Sequence, residues 1–579
     1  MFSMVFHLFS AGLFILFSVS IGYGNDMDFH KLTKELQIEI SKPLKSPAIF
    51  RSTTAWYPKA LKYWETEYYL GPNARPDHTE AEKWFRQSAE KGNADAQFGL
   101  GHMYFFGQGI GQDYSEAEKW FRKAAEQWMP DAQFYLGSMY LLGKGVTQDY
   151  KEAKKWLLRA SERKHDQAQL YLAGMYLLGA GVIQDYKEAQ KWLLQSAQSN
   201  NKEAQFYLGS LYFFGQGDEQ DSNNALQWFR KAAEQGHAKS QFYLGGIYLL
   251  GEGVPQDYRE SEKWLRKSAE QGVPEAEFYL GYMYFFGQGV PQDYQKAGRW
   301  LHRSAKQNTP KAQLYLGHLY FFGQGISQNY RSAEKWFRQS AEQQIAEAQF
   351  YLAHMYSTGK GVFQNNLEAE KWFRQSAELG YAEAQYRLGL MYEIGNGIRK
   401  NLRTAFQWYL KAAQQNQNDA QNKLGLMYQT GKGVKPNFHK AAEWYLQSAL
   451  LGNPEAQSNL GLLYEAGTGV EHDLETAVKW YLKSATQGYG RGEYFLARMY
   501  EYGKGIQQNF EEAMKWYHQS AKHGYADAQL YLAKMYYLGK GVEQSYQEAE
   551  TWYLKAAEGG NAEAQFRQGL MHYFGQDSQ

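Results

Sequence analysis

The residues of this chain that could do chemistry are its 14 histidines, its 61 carboxylates and a set of recurring Gly-x-Gly triplets; it has no cysteine. Without cysteine there are no disulfides, thiolate zinc sites, iron–sulfur clusters or cysteine nucleophiles. The triplets, such as Gly107-Gln108-Gly109 before Ile110-Gly111, have the composition of a phosphate cradle. A phosphate loop follows a strand, whereas these triplets follow helical patterns and recur throughout, so they read as helix stops. His102, His318 and His354 share one register, and two imidazoles can begin a zinc site, but no third ligand recurs beside them. The carboxylates sit at helix starts or alternate with Lys and Arg, as on a solvated, ion-paired face. No nucleophile stands with a base and an orienting group at a workable spacing. The chain therefore reads as non-catalytic, without cofactor or metal.

The elements that carry these residues repeat. Stepping 36 residues from Trp120 lands on Trp84, Trp156, Trp192, Trp228, Trp264, Trp300, Trp336, Trp372, Trp408, Trp444, Trp480, Trp516 and Trp552, 14 tryptophans in one register. A fixed period of this size marks a solenoid. In the stretch from Asp95 to Gln127, Ala96, Gln97, Leu100, Met103 and Tyr104 gather on one helical face, with Gly101 beside it to let a neighbour approach. Gly107 and Gly109 end that helix. Ala117, Trp120, Phe121, Ala124 and Ala125 form the apolar stripe of a second helix, with Glu118, Lys119, Arg122 and Lys123 opposite. Asp113 with Glu116 has the spacing of a capping box, repeated at Asp149 and Glu152, and Asn329, Asn365, Asn437 and Asn509 take the cap position elsewhere. Second helices end at Gly or Asn, as at Gly236, Gly272 and Asn308; Trp128, Lys164 and Gln344 break that rule.

The pattern A-x-A-Q-x-x-L-G-x-M-Y-x-x-G-x-G-V, then Asp, then E-A-x-K-W-F/Y-x-K-A-A, resembles the Sel1-like repeat, a relative of the tetratricopeptide repeat, in about 14 copies of 36 residues. The resemblance implies an all-α fold, an α/α superhelical solenoid of stacked antiparallel helix pairs. It also implies a protein that binds other proteins and has no catalytic centre.

Lys plus Arg is 62 against 61 acids, a balance that argues against nucleic acid or an anionic membrane as partner. Residues 1–24 are apolar and uncharged, with Gly22 and Gly24 before Asn25. They read first as a secretory signal peptide and second as an uncleaved inner-membrane anchor, which makes the protein exported, periplasmic or secreted. Apart from that segment no membrane insertion is expected. Residues 25–58 read as a linker or N-terminal cap, and 59–579 as the solenoid. The array is expected to close on a capping helix from Ala562 to Phe574. There Gln568 and His572 replace Leu100 and Tyr104, polar residues suited to a solvated face.

The array is not uniform. Tyr135, Tyr171, Tyr207, Tyr243, Tyr279, Tyr315 and Tyr351 form a column that gives way to Arg387, Lys423 and Asn459. Apolar doublets at the phase of Phe105-Phe106, including Phe213, Phe285 and Phe321, give way after Phe322 to pairs such as Glu393-Ile394 and Glu465-Ala466. Two readings follow: packing between successive repeats, or an exposed aromatic ridge for a partner. The second makes the seven tyrosines with Phe105, Phe213, Phe285 and Phe321 the candidate partner-binding residues. The functional expectation is an exported scaffold holding a protein or peptide on a concave face lined by the first helices, in envelope assembly or host-cell contact. The alternative is a periplasmic module that binds glycan or peptidoglycan through exposed aromatic side chains, since aromatics are 17% of the chain.

Overall fold

The computed structural model describes residues 78–217 and 220–573. The leader at 1–24, the segment 25–58 and the degenerate opening helix lie outside the described residues. Within them are 28 α-helices and no strand, nearly all helices 13 residues long. The chain divides into two compact units, Met1–Thr309 and Pro310–Gln579. Each is a solenoid of stacked helix pairs, and no described helix is long and apolar enough to cross a membrane.

One pair in the first unit explains the rest. Helix Ala94–Phe106 starts where the Asn93 carboxamide accepts the Ala96 N–H at 3.0 Å, and stops at Gly107, whose left-handed backbone (φ 70°) lets its N–H reach the Met103 carbonyl. Helix Tyr114–Glu126 starts at Asp113, which accepts from the N–H groups of Ser115 and Glu116 at 2.9 and 3.0 Å. The expected capping box is only half made. The Asp113 N–H donates to the Tyr104 carbonyl across the loop, so Glu116 has nothing to cap and instead holds Lys119 at 2.6 Å. The three rule-breaking turns keep the geometry of the glycine ones: Trp128, Lys164 and Gln344 sit at φ 66°, 61° and 62°. The turn is imposed by stacking, and the residue type follows only where nothing else is asked of it.

Leu100, Met103, Ala117, Phe121 and Ala124 are fully buried between the helices. A Cβ on Gly101 would come within 2.7 Å of the Phe121 ring, which is the close approach that keeps this position small. The second glycine of the triplet has a different role. A Cβ on Gly145 would fall 2.5 Å from the backbone of Tyr114, so this glycine is where one repeat's loop rests on the preceding repeat. Gln97 ties three helices together: its amide donates to the Ala89 carbonyl at 3.0 Å and its oxygen accepts from Gln127 at 2.7 Å. Gln385 repeats the arrangement in the second unit, with Ala377 and Gln415.

The last described helix, Ala562–Tyr573, corrects one expectation. Gln568 is buried, because the Leu100 register turns back onto the preceding helix Tyr546–Glu558; the face left open carries Phe566, 64% exposed.

Candidate interaction face

The aromatic column lies inside the stack. Tyr135 stacks on Phe121 of the preceding repeat, ring centroids 5.1 Å apart and planes 21° from parallel. Tyr243 does so on Phe229 at 5.2 Å, and Tyr351 on Phe337 at 5.2 Å. Tyr135, Tyr171, Tyr207, Tyr243 and Tyr279 are buried, as are Phe105, Phe213 and Phe321; Tyr315, Tyr351 and Phe285 are half-buried. Of the two readings, packing between repeats describes these residues, and the exposed ridge is corrected for all but those three. The physical reason is that each repeat rotates its flank onto the second helix before it, covering positions that a single helical wheel leaves open. Burial pushes the phenol of Tyr351 up to about 12 and that of Tyr135 higher still. The exposed edge belongs to the second member of each doublet: Phe106, Phe214 and Phe286 are half-buried and Phe322 is 50% exposed.

From Glu393 onward the second unit replaces this apolar packing by a polar ladder. At the register of Phe121 it carries Tyr409, Tyr445, Tyr481 and Tyr517, and at the register of Phe105 it carries Glu393, Gln429, Glu465 and Glu501. The two switches meet in space. The Tyr409 hydroxyl donates to Glu393 at 2.5 Å, Tyr445 to Gln429 at 2.7 Å, Tyr481 to Glu465 at 2.8 Å and Tyr517 to Glu501 at 2.7 Å. Cations from other repeats join them: Lys423 reaches Glu393 at 3.2 Å, Lys504 reaches Glu465 at 3.8 Å and Lys540 reaches Glu501 at 3.0 Å. Burial, reinforced by the carboxylate each faces, pushes the phenols of Tyr409, Tyr481 and Tyr517 far above their ordinary value, so they stay protonated and donating. Beside the ladder, Arg491 donates to Asn459 at 3.0 Å and Asn459 to Asn422 at 3.3 Å, where most repeats place a Phe, Tyr or Leu near the Asn422 position. The loss of the doublets was visible in the sequence. The matching Phe-to-Tyr change after each tryptophan was the missed signal, since only pairing makes it meaningful.

The tryptophan column is mostly core. Trp120, Trp156, Trp264, Trp372, Trp408, Trp480 and Trp552 are buried, which removes them as stacking platforms for sugars. Among the described residues no three His, Asp or Glu side chains converge as metal ligands. His318 is buried against Tyr351, ring centroids 4.5 Å apart, with Nε2 3.6 Å from Glu347.

The sequence matches the Sel1 repeat over 67–93, 94–127 and 130–165, and onward in register to 526–561 and 562–579, 15 stretches in all. A solved structure of a protective antigen present in uropathogenic Escherichia coli strains, displaying an SLR fold, is 33% identical; the match covers 79% of this chain and 97% of that one, with a TM-score of 0.68. A Sel1 repeat protein from Oxalobacter formigenes is also 33% identical, over 53% of this chain and 90% of its own, with a TM-score of 0.44. No curated protein matches the chain in sequence.

Proposed function

The chain belongs to the Sel1 repeat family, and on that premise we propose that it is an exported, non-catalytic scaffold that holds a protein or peptide partner along its first helices. Solenoids of this kind are in general protein-interaction folds. Export is supported by the apolar, uncharged character of residues 1–24, and by the antigenic role stated for the uropathogenic relative. The compartment is the periplasm or the exterior, in envelope assembly or host-cell contact.

The observation that carries the reading is the polar ladder of the second unit. Partly or fully buried carboxylates cost folding energy unless paired. Nine repeats of the same chain stack with Phe or Leu at the Phe121 register, so stacking does not require the tyrosines or the carboxylates they hold. Residues kept against the interest of packing are best explained by what they bind. Glu393, Lys423, Glu465 and Lys504 remain partly exposed and offer alternating charge to a peptide backbone and its side chains.

The test restores the apolar pairing of the earlier repeats with E393L, E465L and E501L together with Y409F, Y481F and Y517F. Partners that co-purify with the mature chain, residues 25–579, should be lost from this variant while its helical circular dichroism is unchanged. An unchanged set of partners would refute the assignment. For the glycan alternative, Trp128 is the one exposed tryptophan among the described residues, and its surroundings favour another ligand; the exposed Tyr150, Tyr502 and Tyr546 are spread over separate repeats.

A further inference from the structure

We propose that the cleft beside Trp128 in the first unit is a binding site for an acidic peptide segment. Trp128 stands at φ 66°, in a turn where other repeats use Gly92, Gly236, Gly272 or Asn200. Large side chains are disfavoured in that region of backbone space. Nor does the ring join the core: it is 54% exposed. A tryptophan here serves neither the turn nor the packing.

What surrounds it is cationic. A cleft of about 410 Å³ runs between the ring and helix Tyr150–Glu162, lined by Lys151, Lys154, Lys155, Leu158, Arg159 and one acid, Glu162. The Arg159 guanidinium lies 5.7 Å from the Trp128 ring and 4.8 Å from that of Trp156, and Arg163 lies 5.5 Å from Trp128. Among the described residues neither guanidinium has a carboxylate within ion-pair distance, whereas Arg122, at a nearby position of the preceding repeat, is held by Glu118. From Lys151 to Lys164 six basic residues face two acids, in a chain whose net charge is +1. The equivalent cleft of the second unit, about 380 Å³, has Gln344 for Trp128, Gln375 for Arg159 and Leu379 for Arg163. The groove occurs in both of these repeats, and the positive charge and aromatic ring belong to the one at Trp128.

The chemistry follows. Two guanidinium groups without anionic partners take carboxylates through paired N–H donors. The exposed indole beside them covers an apolar or aromatic side chain of the same segment. A neutral sugar is a poorer fit, because its hydroxyls need acceptors as well as donors and Glu162 is the one acceptor side chain at the cleft. The site uses no residue of the polar ladder, so either assignment can fail alone.

The test is calorimetric titration of the mature chain, at low salt, with an end-blocked peptide of alternating glutamate and phenylalanine. Saturable binding is expected, at least tenfold weaker in Trp128→Gly and in Arg159→Gln/Arg163→Gln, and weakening as salt rises. Trp128→Gly installs the residue the other turns use, so its melting temperature should equal or exceed that of the parent. Equal affinity in parent and Trp128→Gly, or no binding by the parent, would overturn the proposal. So would Trp128-dependent binding of a sulfated oligosaccharide or of vesicles with anionic headgroups that exceeds binding of the peptide.

Discussion

His102 is fully buried, and burial holds its imidazole down to about 3, a hydrogen bond with Gln108 opposing only in part. Between that value and the ordinary 6.5, the unfolded chain takes up a proton that the folded one refuses. Stability must therefore fall as pH drops through this window, by on the order of 3 kcal/mol at pH 4 for this residue alone. Ser138 and Ser210 occupy the same register and are buried, the Ser210 hydroxyl donating to the Phe206 carbonyl at 2.9 Å. His102→Ser should flatten the acid limb: urea midpoints at pH 7 and pH 4 should draw closer than in the parent. An unchanged gap would show that His102 stays neutral for no thermodynamic consequence. The tyrosine column makes a related point. Tyr135 and its kin are recognisable in sequence as a recurring residue, and their burial alone decides that they hold repeats together.

At the scale of the element, caps and stops were legible because they depend on neighbours in sequence. Asp113 accepts two backbone N–H groups, as its position implies, and Asp113→Ala should cost about 1 kcal/mol. Glu116 makes no reciprocal bond, so Glu116→Ala should cost less than half as much, the Lys119 pair being exposed. Chemical denaturation of the two variants separates a half-made box from a full one; equal losses would mean that Glu116 caps in solution. Turn conformation was less legible. Trp128, Lys164 and Gln344 gave no sequence sign of a left-handed backbone, because that geometry comes from the helix that follows rather than from the residue itself.

At the scale of the whole molecule, within each unit the contacts of a repeat reach chiefly the repeat before it and the repeat after it. Stability is then a sum of repeat and interface terms, and a contiguous block of repeats should fold without the others. Residues 78–309 expressed alone should show helical circular dichroism and a heat-induced unfolding transition, with slowest amide exchange in its central repeats. A fragment that is unfolded would contradict nearest-neighbour stabilisation.

The 36-residue period, the two helices per repeat, the glycine stops and the Asp or Asn caps were determined by the sequence itself, since each rests on spacing along one helix or on bonds across a few residues. Which aromatic residues remain open to a partner was not. That depends on how far each repeat turns as it stacks on the last, and a rotation between helices leaves no periodic mark of its own. The tertiary structure alone put Tyr135 against Phe121, paired Tyr409 with Glu393, and left Trp128 facing Arg159 and Arg163 at the surface.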